Sequence, residues 1–273
     1  MITSVSNPKI KEAISVKRDK GNAFFVEGLK IVLDAMNSGA VLKQLFYTSE
    51  NVEVIEKVKT GTFEVIEVSA IVMNKLTDTK TPQGIVAIVQ RDVKALNDIV
   101  IDGDALVVVC DRVSDPGNCG SIIRAADAFG ASAVVVLPQT CNPFSPKVVR
   151  ASAGSIFNVP VVDASIDELL KWLSQRGIML AVTLPHSGVA INEVDLTQPF
   201  ALVVGEESKG ICQWLIETAP LLIKIPTIGK AESLNVAACT SICLYEAQLQ
   251  RGEKRKRGGS ASPQTPPQGD QSP

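Results

Sequence analysis

Histidine occurs once in the 273 residues, at His186, and the six cysteines (110, 119, 141, 212, 239 and 243) include no C-x-x-C pair. Zinc sites built on such pairs are therefore excluded, and no metal is expected. A Ser-His-Asp hydrolase is poorly served too, because no G-x-S-x-G turn accompanies the single histidine. His186, in "TLPHSG", reads as a loop residue. Cys239 and Cys243 form a C-x-x-x-C without the third cysteine that an iron–sulfur site needs, and they read as small apolar packing groups. Apolar runs such as "ALVVVC" reach only strand length, which argues against a membrane span. Scattered cysteines and an N-terminus without an apolar secretory core predict a reducing cytoplasm.

Aromatic residues are scarce at 4%, and charged residues make up 21% against 45% hydrophobic. The core must therefore be Val, Ile, Leu and Ala, the material of an α/β protein. Charge is unevenly spread: residues 1–95 carry 13 Lys/Arg against 11 Asp/Glu, residues 104–250 carry 9 against 14, and residues 251–273 carry 5 against 2. Basic ends around an acidic middle suit a polyanionic partner, although differences of this size carry little weight alone.

Two rhythms run along the chain. Residues 1–95 begin with the Lys-rich, helix-like "NPKIKEAISVKRDK" and then alternate strands ("NAFFVE", "LKQLFYTS", "FEVIEVS", "GIVAIVQ") with helices, which predicts a small independent α/β domain. Residues 96–104 read as a linker. From residue 105 to 250, Val-rich strands ("ALVVVC", "SAVVVL", "VPVVD", "IMLAVT", "FALVVG", "LLIKIP") alternate with helices, which predicts a mainly parallel sheet covered on both faces. Ser145-Pro146 and the Ser165/Glu168 capping box mark helix starts. Residues 251–273, "RGEKRKRGGSASPQTPPQGDQSP", lack apolar periodicity and are expected to be a disordered basic, Pro-rich tail.

Three stretches invite a functional reading. In "DRVSDPGNCGSIIRAADAFGA", Gly117 and Gly120 follow a strand, as a phosphate-binding loop would require, but lack the spacing of a dinucleotide or triphosphate site. A turn shaped by Pro116 and Gly117 with Ser114 or Asp115 as helix cap explains them as well. Arg124 lies among Ile122, Ile123, Ala125, Ala126 and Phe129, where a lone cation needs a salt-bridge partner or a ligand. In "FALVVGEESKGI", Gly205, Glu206 and Glu207 leave the end of a strand, where α/β sheets bind ligands, although two carboxylates also suit a solvated turn. In "IPTIGKAESLNVAACTSICLYE", Ser233-Leu234-Asn235 opens a helix, and Ser233 as a plain N-cap is a sufficient structural reason for that residue.

Taken in order, these stretches resemble the SpoU/TrmH family of RNA ribose 2′-O-methyltransferases of the SPOUT superfamily. The matching residues are Asn118, Gly120, Arg124, Ala126, Phe129 and Gly130; then Gly205, Glu207 and Gly210; then Ile225, Pro226, Gly229, Ser233, Leu234, Asn235, Val236 and Glu246. "SNPKIKE" with "FFVEGLKIVLDA" is similar to the L30e-like substrate-binding domain of many ribosomal-RNA members. The second motif departs from the usual Gly-Asn-Glu-Gly at Glu206 and Ser208, which bears on substrate contacts and cofactor affinity.

The resemblance implies a C-terminal trefoil knot, a homodimer with the active site at its interface, and S-adenosylmethionine (SAM) as cofactor. Thr183, Leu184, Gly205, Ile225, Ser233 and Leu234 would hold SAM, and Arg124, Asn118, Glu207, Ser233 and Asn235 would form the reaction centre. The implied activity is methylation of a ribose 2′-hydroxyl, with 23S-type ribosomal RNA favoured over transfer RNA because of the N-terminal domain. A non-catalytic RNA-binding protein on the same fold and a nucleotide-binding protein using the Gly117–Gly120 loop are the alternatives.

Overall fold

The computed structural model describes residues 1–18, 21–58, 62–101, 103–205 and 210–259. The N-terminal part runs α1 (Pro8–Arg18), β1 (Ala23–Glu27), α2 (Leu29–Asn37), β2 (Leu42–Tyr47), α3 (Val52–Val58), β3 (Glu64–Glu67), α4 (Ala70–Leu76) and β4 (Ile85–Gln90). Its four strands lie in the order β1-β4-β2-β3, with β4 antiparallel to both neighbours and β2 parallel to β3. A turn of 3-10 helix, Leu96–Asp98, follows.

The second part runs β5 (Leu106–Asp111), α5 (Pro116–Ala128), β6 (Ala133–Val136), α6 (Pro146–Ala151), β7 (Val161–Asp163), α7 (Ile166–Arg176), β8 (Met179–Thr183), β9 (Val189–Ala190), β10 (Phe200–Gly205), α8 (Gln213–Thr218), β11 (Leu221–Lys224) and α9 (Val236–Gly259). Seven strands form one sheet in the order β7-β6-β5-β10-β8-β11-β9, and every pair is parallel. The central strands β5 and β10 are buried along their length, apart from Gly205 at the end of β10, because helices cover both faces. The two-residue β9 and the short α8 carry too little periodicity to be read in advance.

Local chemistry explains the helix starts. Asp115, not Ser114, caps α5: its carboxylate accepts from the Asn118 N–H at 2.8 Å, and Pro116 follows at the first helical position. The Ser165/Glu168 capping box opens α7 as expected. Ser145 has the backbone of an N-cap for α6, but its hydroxyl is buried with no hydrogen-bond partner. Asn235, rather than Ser233, caps α9, its side-chain oxygen accepting from Ala237 and Ala238 at 3.0 and 3.3 Å.

Two organisational expectations change. The N-terminal part is not packed as an independent unit, since one apolar cluster runs from Phe24, Val26 and Val32 into Leu106, Val108 and Ile123. Phe24 stacks between Phe144 and Phe157, with centroids at 5.1 and 6.0 Å, and Arg150 of α6 donates to the buried Glu27 carboxylate at 2.8 Å. Leu96 and Ile99 of the expected linker are buried in a second cluster beneath α7. The expected tail also begins too early, because α9 continues to Gly259. Arg251 is 5% exposed: Nε donates to Leu196 O, Nη1 to Asp104 O, and Nη2 to Ala105 O and Gln198 O, all at 2.7–3.2 Å. Composition reads Arg251 as solvated because its partners are backbone carbonyls at the starts of β5 and β10, distant in sequence. Residues 260–273 of the tail lie outside the described residues.

Candidate active site

The first stretch of interest begins where β5 ends. Asp111 is buried, and Arg112 after it takes a left-handed backbone, φ 58°, which costs a residue with a Cβ about 1 kcal/mol or more. That turn swings the chain into the Asp115 cap and α5. Gly120 has a packing role: a methyl group there would lie 2.5 Å from Ala151 Cβ and 2.6 Å from Val148 O, so its absence lets α5 and α6 approach closely. A phosphate-loop reading of Gly120 is therefore unnecessary.

Arg124 corrects an expectation. Its helical neighbours Ile122, Ile123, Ala125 and Ala126 are buried, but its own side chain stands on the exposed face, so no desolvation demands a partner. The helical turn of about 100° per residue separates it from those neighbours. Among the described residues, no hydrogen bond or ion pair involves the Arg124 guanidinium.

The second and third stretches converge with β8 at the carboxyl ends of the parallel strands. Thr183 at the end of β8 and Leu184 after it, Gly205 at the end of β10, Ile225 after β11, and Ser233 and Leu234 before α9 line one pocket; all six expected cofactor residues meet there. The pocket and its mouth enclose about 840 Å³. Its walls are largely aliphatic, with Ile211, Ile223 and Val236 added to the residues expected. Thr183 is oriented by donating its hydroxyl to Val203 O at 2.9 Å.

Cys239 and Cys243 also line this pocket, beyond the packing role expected of them. The neighbouring Cys239 thiol, together with burial, pushes the Cys243 thiol well above the usual range. Their i, i+4 spacing was the available signal, since it places both on one face of a helix.

The reaction-centre residues divide three ways. Asn118 and Asn235 meet: Asn235 Nδ2 donates to Asn118 Oδ1 at 2.9 Å, fastening the start of α5 to the start of α9 across 117 residues of sequence. The cap fixes this amide pair, because Asn235 must turn its oxygen toward the α9 N–H groups and so offers its NH2 to Asn118. The Asn118 NH2 then has no acceptor among the described residues. Ser233 is exposed at the pocket mouth, and Arg124 lies six residues beyond Asn118, about 9 Å along the helix axis. Glu207, with Glu206 and Ser208, lies outside the described residues.

Among the described residues no group of three or more His, Cys, Asp or Glu side chains could hold a metal ion, and no helix is long and apolar enough to cross a membrane.

Residues 105–245 match the SpoU rRNA Methylase family, and residues 7–87 match the MRM3-like substrate binding domain. The chain is 32% identical over 248 residues to the 23S rRNA (guanosine(2553)-2′-O)-methyltransferase RlmP of Bacillus subtilis, covering 89% of this chain and 97% of that protein. It is 32% identical over 247 residues to the 23S rRNA (uridine(2479)-2′-O)-methyltransferase of Streptomyces viridochromogenes, covering 86% and 85%. Among solved structures, the AdoMet-bound rRNA methyltransferase of Sinorhizobium meliloti superposes with a TM-score of 0.82 at 36% identity, over 91% of this chain and 97% of that one. A family match across more than half of the chain, joined to relatives matched over nearly their whole length and a shared fold, establishes that this protein belongs to the SpoU rRNA methylase family.

Proposed function

We propose that this chain is a SAM-dependent methyltransferase that modifies a ribose 2′-hydroxyl in 23S-type ribosomal RNA. The observation that carries this reading is the convergence of Thr183, Leu184, Gly205, Ile225, Ser233 and Leu234 on one pocket at the carboxyl ends of β8, β10 and β11. The pocket's chemistry fits the cofactor, with aliphatic walls for an adenine ring and a methionine chain and strand-end backbone for their polar edges. When bound there, SAM supplies an electrophilic methyl group.

The remaining work falls to side chains. A 2′-hydroxyl gains negative charge as it attacks, next to a backbone phosphate. Arg124, whose guanidinium has no partner among the described residues, grips that phosphate in a fork and stabilises the developing charge. It acts through its charge and not as a base, because a guanidinium keeps its proton in proteins, and the hydroxyl proton passes to solvent. Asn118 offers its NH2, unpartnered among the described residues, to the ribose or phosphate oxygens; the orienting role expected of Glu207 falls outside the described residues. Ser233 and Asn235 close the methyl-acceptor side, with Asn235 also holding Asn118 in place. Fixing both reactants in this way converts a bimolecular step into one of positioning.

Residues 1–95 form the RNA-binding part, packed against a catalytic part that runs from residue 105 to the end of α9, with 96–104 between them. The catalytic part carries the trefoil knot, and the working unit is a homodimer. An exposed stripe on α9, Ile242, Tyr245 and Leu249, supports the dimer; Tyr245 packs on Phe129 at the C-cap of α5, centroids 6.2 Å apart, so a second copy covering this stripe would lie beside the helix that carries Arg124. Ribosomal RNA is favoured over transfer RNA by the N-terminal match to a substrate-binding domain and by the named substrates of the relatives. The site of action is the cytoplasm.

Calorimetric titration with SAM, followed by tritiated-methyl transfer to unmodified ribosomal and transfer RNA, tests this reading. SAM binding with label in ribosomal RNA is the expected result. Label in transfer RNA alone would reassign the substrate, and absence of SAM binding would leave a non-catalytic RNA-binding protein.

A further inference from the structure

Asp111 is the last residue of β5 and, at 2% exposure, one of the few buried charged residues among those described. Burial raises its carboxyl above the ordinary carboxylate range, and a group so placed must gain something specific. One gain is visible. Its Oδ2 accepts from the Cys212 backbone N–H at 2.6 Å, while the nearest cation, Arg112 Nε, is 3.9 Å from Oδ1.

Cys212 matters through what precedes it. Gly205, Gly210 and Ile211 are part of the cofactor pocket's lining. The wall is tight: a methyl group on Gly205 would lie 2.6 Å from Ile211 Cγ1 and 3.2 Å from the Asp111 carbonyl oxygen. Asp111 therefore touches the wall twice. Its backbone pairs in register with Gly205, and its side chain holds the chain where it returns from the pocket into α8. Its own chain continues through the strained Arg112 to the Asp115 cap and Asn118.

From this geometry we infer that Asp111 is a positioning residue, one that holds the Gly210–Cys212 wall of the cofactor pocket in register with the loop leading to Asn118. This role rests on the methyl-transfer reading and extends it to a residue that does not line the pocket. The mechanism is an acceptor in the right place: the partly buried N–H at the α8 start needs a fixed oxygen, and a carboxylate anchored on a central strand supplies one. Charge is not the essential property.

The test compares Asp111→Asn, which keeps an acceptor oxygen, with Asp111→Leu, which keeps the forked shape and removes the acceptor. SAM dissociation constants by calorimetry, and kcat and KM for RNA by methyl transfer, are the readouts. Asp111→Leu should weaken SAM binding at least about tenfold and lower kcat with RNA KM unchanged, whereas Asp111→Asn should bind SAM within about threefold of wild type. SAM binding by Asp111→Leu equal to wild type, or equal losses in both variants, overturns the inference. A wild-type chain that binds no SAM overturns the methyl-transfer reading itself, so the two failures are distinguishable. If Asp111→Leu does not fold, amide exchange at Cys212 in the wild type decides. An N–H that is protected and slows further with SAM supports the role; one that exchanges freely, unaffected by SAM, removes it.

Discussion

Arg124 on the outer face of α5 and Arg251 in the far half of α9 are treated in opposite ways. Arg251 is buried with every guanidinium nitrogen committed, its donors spread over the carbonyls of Leu196, Asp104, Ala105 and Gln198. Burial lowers its pKa from the ordinary arginine value, and Phe200 packs 5.5 Å beneath the guanidinium carbon. Arg124 is exposed, with no partner among the described residues. An arginine whose donors are spent on backbone can only hold a fold together. One whose donors are free can receive a phosphate.

The most severe way to break this contrast is Arg124→Ala. Methyl transfer should fall by about 10²–10³ in kcat, with SAM affinity and melting temperature close to wild type. Wild-type turnover in that variant would remove Arg124 from the reaction. Arg251→Ala should do the reverse, costing about 3 kcal/mol of stability because several buried carbonyls lose their donor together, while kcat per folded molecule holds. Thermal melting alongside active-site titration separates the two outcomes.

A subtler substitution is Asn235→Asp, which keeps the acceptor that caps α9 but removes the donor to Asn118. Stability should hold within about 0.5 kcal/mol, since Asp caps as well as Asn, while turnover drops by about tenfold as Asn118 loses its orientation. Equal turnover would mean that the pair matters only for folding. The smallest effect is expected at Arg255, whose contact with Asp104 at 3.3 Å lies one helical turn beyond Arg251, with side chains 72% and 58% exposed. Arg255→Ala should change stability by less than about 0.5 kcal/mol, as exposed pairs do. Denaturant unfolding that ranked Arg255 with Arg251 would contradict the argument from burial.

Much of this was legible from periodicity and caps. The strands of the parallel sheet and the α7 capping box fall where spacing puts them, because each depends on short-range chemistry. The errors share one cause. Arg124 reads as buried because its flanking residues are apolar, yet a helix turns it outward; Arg251 reads as solvated because its sequence neighbours are polar, yet its partners lie more than fifty residues away. Ser233 reads as the α9 cap from residue type, and the helix begins two residues later because Asn235 can cap it while bonding Asn118. Asp111 went unremarked at the end of an apolar strand, since nothing nearby in sequence announces that Cys212 will come to its carboxylate.

The sequence by itself determined the class of elements, their order and the chemical types gathered at three strand-end loops, because hydrophobic period and turn chemistry act over a few residues. Only the tertiary structure decided which polar groups are committed and which remain available. It joined Asn118 to Asn235, fused the N-terminal part to the larger sheet through Phe24 and Glu27, buried one arginine and left another open. The physical reason is that availability is settled by desolvation and by partners far away along the chain, and neither exists until the parallel sheet brings its strand ends to a common edge.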